Sequence, residues 1–183
     1  TLKDSVVCIG IFDGIHIGHK KVIKKVLSSA GNGQKVVITF DPHPLTTLKP
    51  NSTPPRIMSL EHRLMILDGM GIDAVIVIRF TESIAKMSPE DFIKKVLNVI
   101  GTKKVYVGDN FYFGKRKSGD INSFIELGKK NGIDVRAVKP VRVARRIVSS
   151  TWLRDLILKG DIKKAENLLR RPVSVFGTVV KGD

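Results

Sequence analysis

Short apolar runs and amphipathic stretches alternate from one end of the chain to the other. Residues 6–11, 35–40, 74–80, 104–108 and 134–138 read as strands, and the longest runs, such as Ala74-Val75-Ile76-Val77-Ile78, are continuous rather than alternating. That pattern belongs to strands covered on both faces. Between them, residues 20–29, 60–70, 89–100 and 121–130 carry helical spacing, and Gly31, Gly71, Gly101 and Gly132 each follow a helical stretch as a stop signal. Ser88-Pro89-Glu90-Asp91 supplies a cap, a proline at the first position and acids in the first turn. Strand and helix alternating in this way predict an α/β fold, a parallel sheet joined by right-handed crossovers. Residues 151–159 form one more predicted helix, closed by Gly160. Beyond Leu168-Leu169-Arg170-Arg171-Pro172 a new β-like run, residues 173–180, finds no counterpart in the preceding pattern.

Two stretches interrupt the rhythm. Residues 41–57 hold five of the eight prolines and form a long predicted loop. Residues 109–120, DNFYFGKRKSGD, are aromatic at first, then basic and glycine-bearing. Both follow strand ends, where open α/β sheets bind ligands.

Composition narrows the class. The 183 residues suffice for one domain, or one domain and a fragment of a second. No apolar stretch is long enough to span a bilayer, and Lys3 and Asp4 leave no room for a signal sequence before the first strand. One cysteine, Cys8, gives no disulfide framework and suits a reducing cytoplasm. The net charge of +15 is spread as lysine pairs along helices, Lys20-Lys21 and Lys24-Lys25 among them, the usual mark of solvated faces. Charge alone does not separate a nucleic-acid binder from an enzyme of phosphorylated small molecules.

The chemistry concentrates in residues 10–19, GIFDGIHIGH, directly after the first strand. Gly10 and Gly14 permit a tight turn, and the helix that follows points free N–H groups and its positive end into the crevice. His16 and His19 add imidazole donors beside that anion site. Phosphate contact leads, with core packing and metal ligation as alternatives; the metal reading lacks a third ligand nearby. Ser149-Ser150-Thr151, with Arg154 one turn on, would bring hydroxyls and a planar fork of donors to the same edge. Trp152 reads as a packing residue.

Four motifs in register, G-x-F-D-G-x-H-x-G-H at 10–19, T-F-D-P-H-P at 39–44, V-G-D-N-F-Y-F-G at 107–114 and S-S-T-x-x-R at 149–154, resemble the adenylyltransferase module of bacterial bifunctional riboflavin kinase/FMN adenylyltransferases, the prokaryotic FAD synthetases. The resemblance implies a Rossmann-like sheet of the HxGH nucleotidyltransferase superfamily. It implies transfer of AMP from ATP to FMN, giving FAD and pyrophosphate, with Mg²⁺ held mainly by phosphate oxygens and no protein metal cluster. By the same resemblance Gly10, Phe12, Asp13, Gly14, His16, His19, Ser150, Thr151 and Arg154 would form the ATP site. His16, His19, Asn110 and Arg154 would carry catalysis. Phe40, Pro42, His43, Pro44, Asn110 and Phe113 would border the flavin, and Asp13 would order the turn rather than ligate metal. Residues 1–172 would be the adenylyltransferase domain, and residues 173–183 the opening of a riboflavin kinase domain whose remainder is absent here; a full-length product would also phosphorylate riboflavin.

A sister nucleotidyltransferase with another acceptor would keep HxGH but not T-F-D-P-H-P. An aminoacyl-tRNA synthetase would place its second motif elsewhere than Lys86-Met87-Ser88. A basic nucleic-acid binder would carry a recognisable motif, and none is present. The expected partners are therefore ATP and FMN, without nucleic acid or membrane, in the cytoplasm; the sequence leaves the oligomeric state open.

Overall fold

The computed structural model describes residues 2–181. Five parallel strands, β1 (Ser5–Ile9), β2 (Lys35–Asp41), β3 (Ala74–Arg79), β4 (Thr102–Gly108) and β5 (Asp134–Val138), form one sheet in the order β3-β2-β1-β4-β5. The helices are α1 (Ile17–Ser29), α2 (Pro44–Leu48), α3 (Leu60–Asp68), α4 (Glu82–Ala85), α5 (Pro89–Phe92), α6 (Ile121–Lys130), α7 (Ser150–Leu158) and α8 (Ile162–Leu169). A two-stranded hairpin, β6 (Arg142–Val143) and β7 (Arg146–Ile147), precedes α7.

The pleat of β1 divides the core. Val7 and Ile9 pack with Phe92, Ile93, Leu97 and Phe124 on one face, while Val6 and Cys8 pack with Ile23, Val26 and Leu67 on the other. Burying each such side chain contributes about 2 kcal/mol, enough to fix the register of a strand whose two faces are both covered. Cys8 has no access to solvent, and burial pushes its thiol far above the usual range. Gly128 on α6 is required by contact: a Cβ there would fall 2.5 Å from the side chain of Val135 on β5. Leu153 and Leu156 of α7 join Ala165, Leu168 and Leu169 of α8 in a third, smaller cluster.

The predicted helix over 89–100 is interrupted. After α5 the backbone opens into a π-helical segment, Ile93–Leu97, that buries Ile93 and Leu97 beside Phe92. Residues 173–180, expected as a strand, form none. A strand needs a neighbour for its ladder, and this run instead leans on α3, with Ser174 Oγ 3.1 Å from His62 Nε2 and the Phe176 ring 6.0 Å from the His62 ring. Val175 and Val179 are almost fully exposed. Of the tail assigned to a second domain, residues 182–183 lie outside the described residues.

The strand order reverses direction at β1, so the loops after β1 and β4 diverge and leave a crevice at their carboxyl ends. The two motif stretches at 10–19 and 107–114 open onto it.

Candidate active site

The crevice is a cleft of about 880 Å³, whose wall includes Gly10, His16, His19, Asn110, Ser149 and Ser150 at one end. Phe40, Pro44, Leu48, Phe80, Phe111 and Tyr112 line its apolar side. The volume sits high in the usual range for small-molecule sites.

Helix α1 begins three residues earlier than its periodicity suggests, at Ile17, because His16 acts as the cap. Its Nδ1 accepts the backbone N–H of His19 at 3.2 Å. That bond leaves the proton of the neutral ring on Nε2. The two imidazoles stack with centroids 3.7 Å apart and planes 14° from parallel, and the Phe12 ring meets His19 edge-on at 5.3 Å. Burial pulls the His16 pKa down to about 4. Burial, then His16, then the Arg63 guanidinium hold His19 well below its ordinary value. Both rings are thus neutral donors at physiological pH. His19 Nδ1 is buried without a partner, the condition of a polar group awaiting a ligand or water.

The turn before α1 is strained. Phe12 (φ 55°) and Ile15 (φ 40°) are fully buried in the left-handed region, at a penalty of about 1–2 kcal/mol each. Gly14 (φ 90°) is needed twice over, since a Cβ there would also lie 2.6 Å from the Leu153 side chain of α7. Four distant segments hold this turn in place. The Asp13 carboxylate, 6% exposed, accepts the N–H groups of Ile57 (3.0 Å) and Met58 (3.3 Å) and the Arg154 Nη2 (3.0 Å). Ser150 Oγ donates to the Asp13 carbonyl at 2.7 Å. From beneath, Thr39 Oγ1 and Arg63 Nη1 both donate to the carbonyl of Ile11.

This network revises the sequence expectation for several side chains. Arg154 is turned away from the cleft: Nε donates to the Pro55 carbonyl at 2.6 Å and Nη2 to Asp13, so its fork braces the turn. Thr151 is exposed beyond the cleft wall, and Ser149 takes its expected place beside Ser150 while capping α7 through the Trp152 N–H. Asp13 and Gly14 shape the turn from behind. His43 caps α2 by accepting the Leu45 N–H at 3.1 Å and lines a small adjoining pocket with Asp13, Asp41, Arg56 and Arg63. Phe113 is mostly core, 4.5 Å from the Phe124 ring, and only its edge reaches the cleft. Pro42 lies in the turn between β2 and α2 and does not line the cleft. Trp152 packs in the α7–α8 cluster, with the Arg146 guanidinium over its ring at 4.6 Å.

The sequence reading missed Arg63, whose buried guanidinium also reaches Asp41 at 3.5 Å, and the aromatic wall of Phe80, Phe111 and Tyr112. Arg63 gave no local signal: it sits within a helix, followed by the apolar run Leu64-Met65-Ile66-Leu67 and part of no motif. Phe111 lay in plain view within the N-F-Y-F-G stretch.

A family profile described as FAD synthetase matches residues 1–152. The chain belongs to the FAD synthetase family. Its curated relatives include the bifunctional riboflavin kinase/FMN adenylyltransferases of Buchnera aphidicola from Schizaphis graminum, 33% identical over 99% of this chain and 59% of that protein. The Escherichia coli K12 protein of the same description is 30% identical over 97% of this chain and 58% of its own length. The chain therefore spans less than two thirds of these relatives. Among solved structures, one described as a macrolide-efflux protein from Streptococcus pneumoniae superposes with a TM-score of 0.83 at 28% identity, covering 94% of this chain and 58% of that one. A pantoate-β-alanine ligase from Francisella tularensis shares the fold alone, with a TM-score of 0.56 at 14% identity over 91% of this chain and 77% of the other. Among the described residues no helix is long and apolar enough to cross a membrane. The α/β architecture expected of the FAD synthetase family, a five-stranded parallel sheet with helices, is the one observed.

Proposed function

We propose that this chain transfers AMP from ATP to FMN, yielding FAD and pyrophosphate, and that residues 1–172 form the adenylyltransferase domain. One observation carries the reading: two helix N-termini, those of α1 and α7, open onto a single cleft whose opposite side is aromatic. A polyanion suits the first end and a flat conjugated ring the second.

In the proposed reaction an oxygen of the FMN phosphate attacks the α-phosphorus of ATP, a new P–O–P bond forms, and the bond to the β-phosphate breaks as pyrophosphate leaves. The nucleophile is already anionic, so no general base is required, and positioning with charge stabilisation does the work. Backbone N–H groups at the start of α1 and the neutral rings of His16 and His19 donate to the α- and β-phosphate oxygens as they gain charge. Ser149 and Ser150 receive the departing end. Arg154 acts through Asp13. Phe40, Pro44, Phe80 and Phe111 cover the flavin and exclude water.

Mg²⁺ takes hard oxygen ligands. The cleft wall offers the Asp109 carboxylate and the Asn110 amide oxygen, and among the described residues no group of three or more His, Cys, Asp or Glu gathers. That donor set fits an ion carried chiefly by polyphosphate and water, with Asn110 supplying a protein ligand; when bound, the ion neutralises phosphate charge. The cytoplasm supplies both substrates and is the proposed location. Residues 173–183 are proposed as the start of a second unit, which in a full-length product would phosphorylate riboflavin.

Incubation with ATP, Mg²⁺ and FMN, followed by chromatography, tests the reading: FAD and pyrophosphate are expected in equal amounts. Turnover of CTP, or of a pantetheine phosphate with ATP, in place of FMN would move the protein to a sister nucleotidyltransferase. Salt-sensitive RNA binding without any ATP turnover would remove the enzyme reading altogether.

A further inference from the structure

Arg171 lies outside every motif that marks the cleft, 157 positions along the chain from Gly14, yet its Nη2 donates to the Gly14 carbonyl at 3.0 Å. Its other hydrogen bonds run from Nη1 to the Pro172 carbonyl (3.0 Å) and Ser174 Oγ (3.4 Å), so all its acceptors are neutral. Nε is buried with no partner. Arg170 closes α8 in the left-handed region (φ 51°), and its N–H returns to the Glu166 carbonyl at 2.7 Å. That turn, strained for a residue with a side chain, sends Arg171 back across the α7–α8 unit to the strained turn before α1. The segment after it is held too: the Val173 N–H donates to Glu166 Oε1 at 3.3 Å, and Ser174 and Phe176 rest on His62 of α3. Arg171 also reaches α1 electrostatically, since burial first and then Arg171 and Lys24 depress the pKa of Lys20, the neighbour of His19.

We propose that Arg171 is a positioning residue of the nucleotide site. Its guanidinium anchors the Gly14 carbonyl, fixes how the turn presents its amide groups and imidazoles to the triphosphate, and makes that end of the cleft depend on the chain immediately following α8. The proposal rests on the ATP reading above. A cation behind an anion-binding turn, bonded only to neutral acceptors, adds positive potential that no nearby acid cancels through direct contact. A guanidinium that donates from Nη2 to the Gly14 carbonyl and from Nη1 to the Pro172 carbonyl also fixes geometry in a way an ammonium does not. The dependence is selective: a triphosphate at the α1 end feels Arg171, whereas the flavin at the aromatic side does not.

The test compares the whole chain with its R171M and R171K variants, measuring ATP and FMN dissociation constants separately, together with thermal melts. R171M is expected to weaken ATP about tenfold and R171K about threefold, with FMN changed less than about twofold, since a positioned, charge-assisted contact is lost in steps. A second variant, F176A, loosens the following segment where it rests on His62, leaves every hydrogen bond of Arg171 in place, and is expected to weaken ATP about twofold. ATP binding equal to wild type in R171M, even with a lowered melting temperature, would overturn the proposal. If R171M does not fold, wild-type ATP affinity in R171K does the same. A wild-type chain that binds no ATP sinks the nucleotide reading and this inference together, whereas a wild type that binds ATP but makes no FAD removes the acceptor assignment alone.

Discussion

The two ends of the cleft are built on opposite principles. The turn at residues 10–19 is buried, strained at Phe12 and Ile15, and fastened by Asp13, Ser150, Arg63 and Arg171 to four other parts of the chain. The loop at 109–119 is also strained, with Arg116 and Lys117 at positive φ, but it is mostly exposed. Apart from the buried Phe113 ring, its fastenings are a bridge from Phe113 to Gly119, a bond from the Lys115 N–H to the Met87 carbonyl at 2.8 Å and one from the Asp109 N–H to the Val138 carbonyl at 3.3 Å. Tyr112 on it is 54% exposed, with the Lys117 ammonium 5.6 Å from its ring. Strain that is tied down from several sides holds a fixed geometry, as a reacting phosphorus needs. Strain at an exposed rim leaves a wall that adapts to what enters.

The sharpest way to test this contrast is His19→Ala. Removing a neutral donor at the fastened end is expected to lower kcat by about 10²–10³ while FMN affinity stays within about twofold, measured by steady-state kinetics and flavin titration. An unchanged kcat would reduce the ring to packing. Asp13→Asn comes next. It leaves the Arg154 guanidinium enclosed with its counter-charge gone, so urea unfolding should show a loss of about 3 kcal/mol. ATP affinity should fall with it, because α7 and the turn part company.

A smaller effect follows from pH. Burial holds the folded His16 near 4, against about 6.5 for a free imidazole. The unfolded chain therefore binds the extra proton between these values, and stability from neutral His16 is complete above about 6.5 and lost as pH falls toward about 4. The slope approaches about 1.4 kcal/mol per pH unit, and His19, displaced in the same direction, steepens it. Urea midpoints at pH 7 and pH 5 would show it, and His16→Gln should flatten the curve. The least effect is expected at the loose end, where Tyr112→Ala should raise the KM for FMN about threefold and leave kcat and stability nearly unaltered. A large drop in stability there would erase the contrast.

Much of this was legible from residue pattern. The helix over 121–130 and the strand over 134–138 appear with those bounds because Asp120 caps the helix start, Gly132 stops it, and the apolar positions Val135 and Val138 resume directly after that stop. The strand order was not readable, since periodicity says which residues are buried but not which strands adjoin. Helix α8 went unread although Ile162, Ala165, Leu168 and Leu169 repeat at helical spacing; its start lacks a side-chain cap and Arg170 stands where a glycine stop is usual. The hairpin before α7 hides for a similar reason, with Ala144 and Arg145 taking positive φ in place of Asn or Gly. At the site, the two histidines and the double serine were legible because helix starts advertise themselves. The bracing roles of Arg154 and Arg171 were not, because a guanidinium satisfied by a carbonyl 99 or 157 positions away leaves no local trace.

Cys8 sits on the central strand, sealed on both sides, with its proton held tightly. As the chain's single sulfhydryl, it is a built-in clock. An alkylating reagent in solution reacts with it only when the sheet itself comes apart, so the labelling rate of the untouched protein counts whole-molecule openings. Slower labelling with a nucleotide present would then register occupancy of the cleft at the carboxyl end of the same strand.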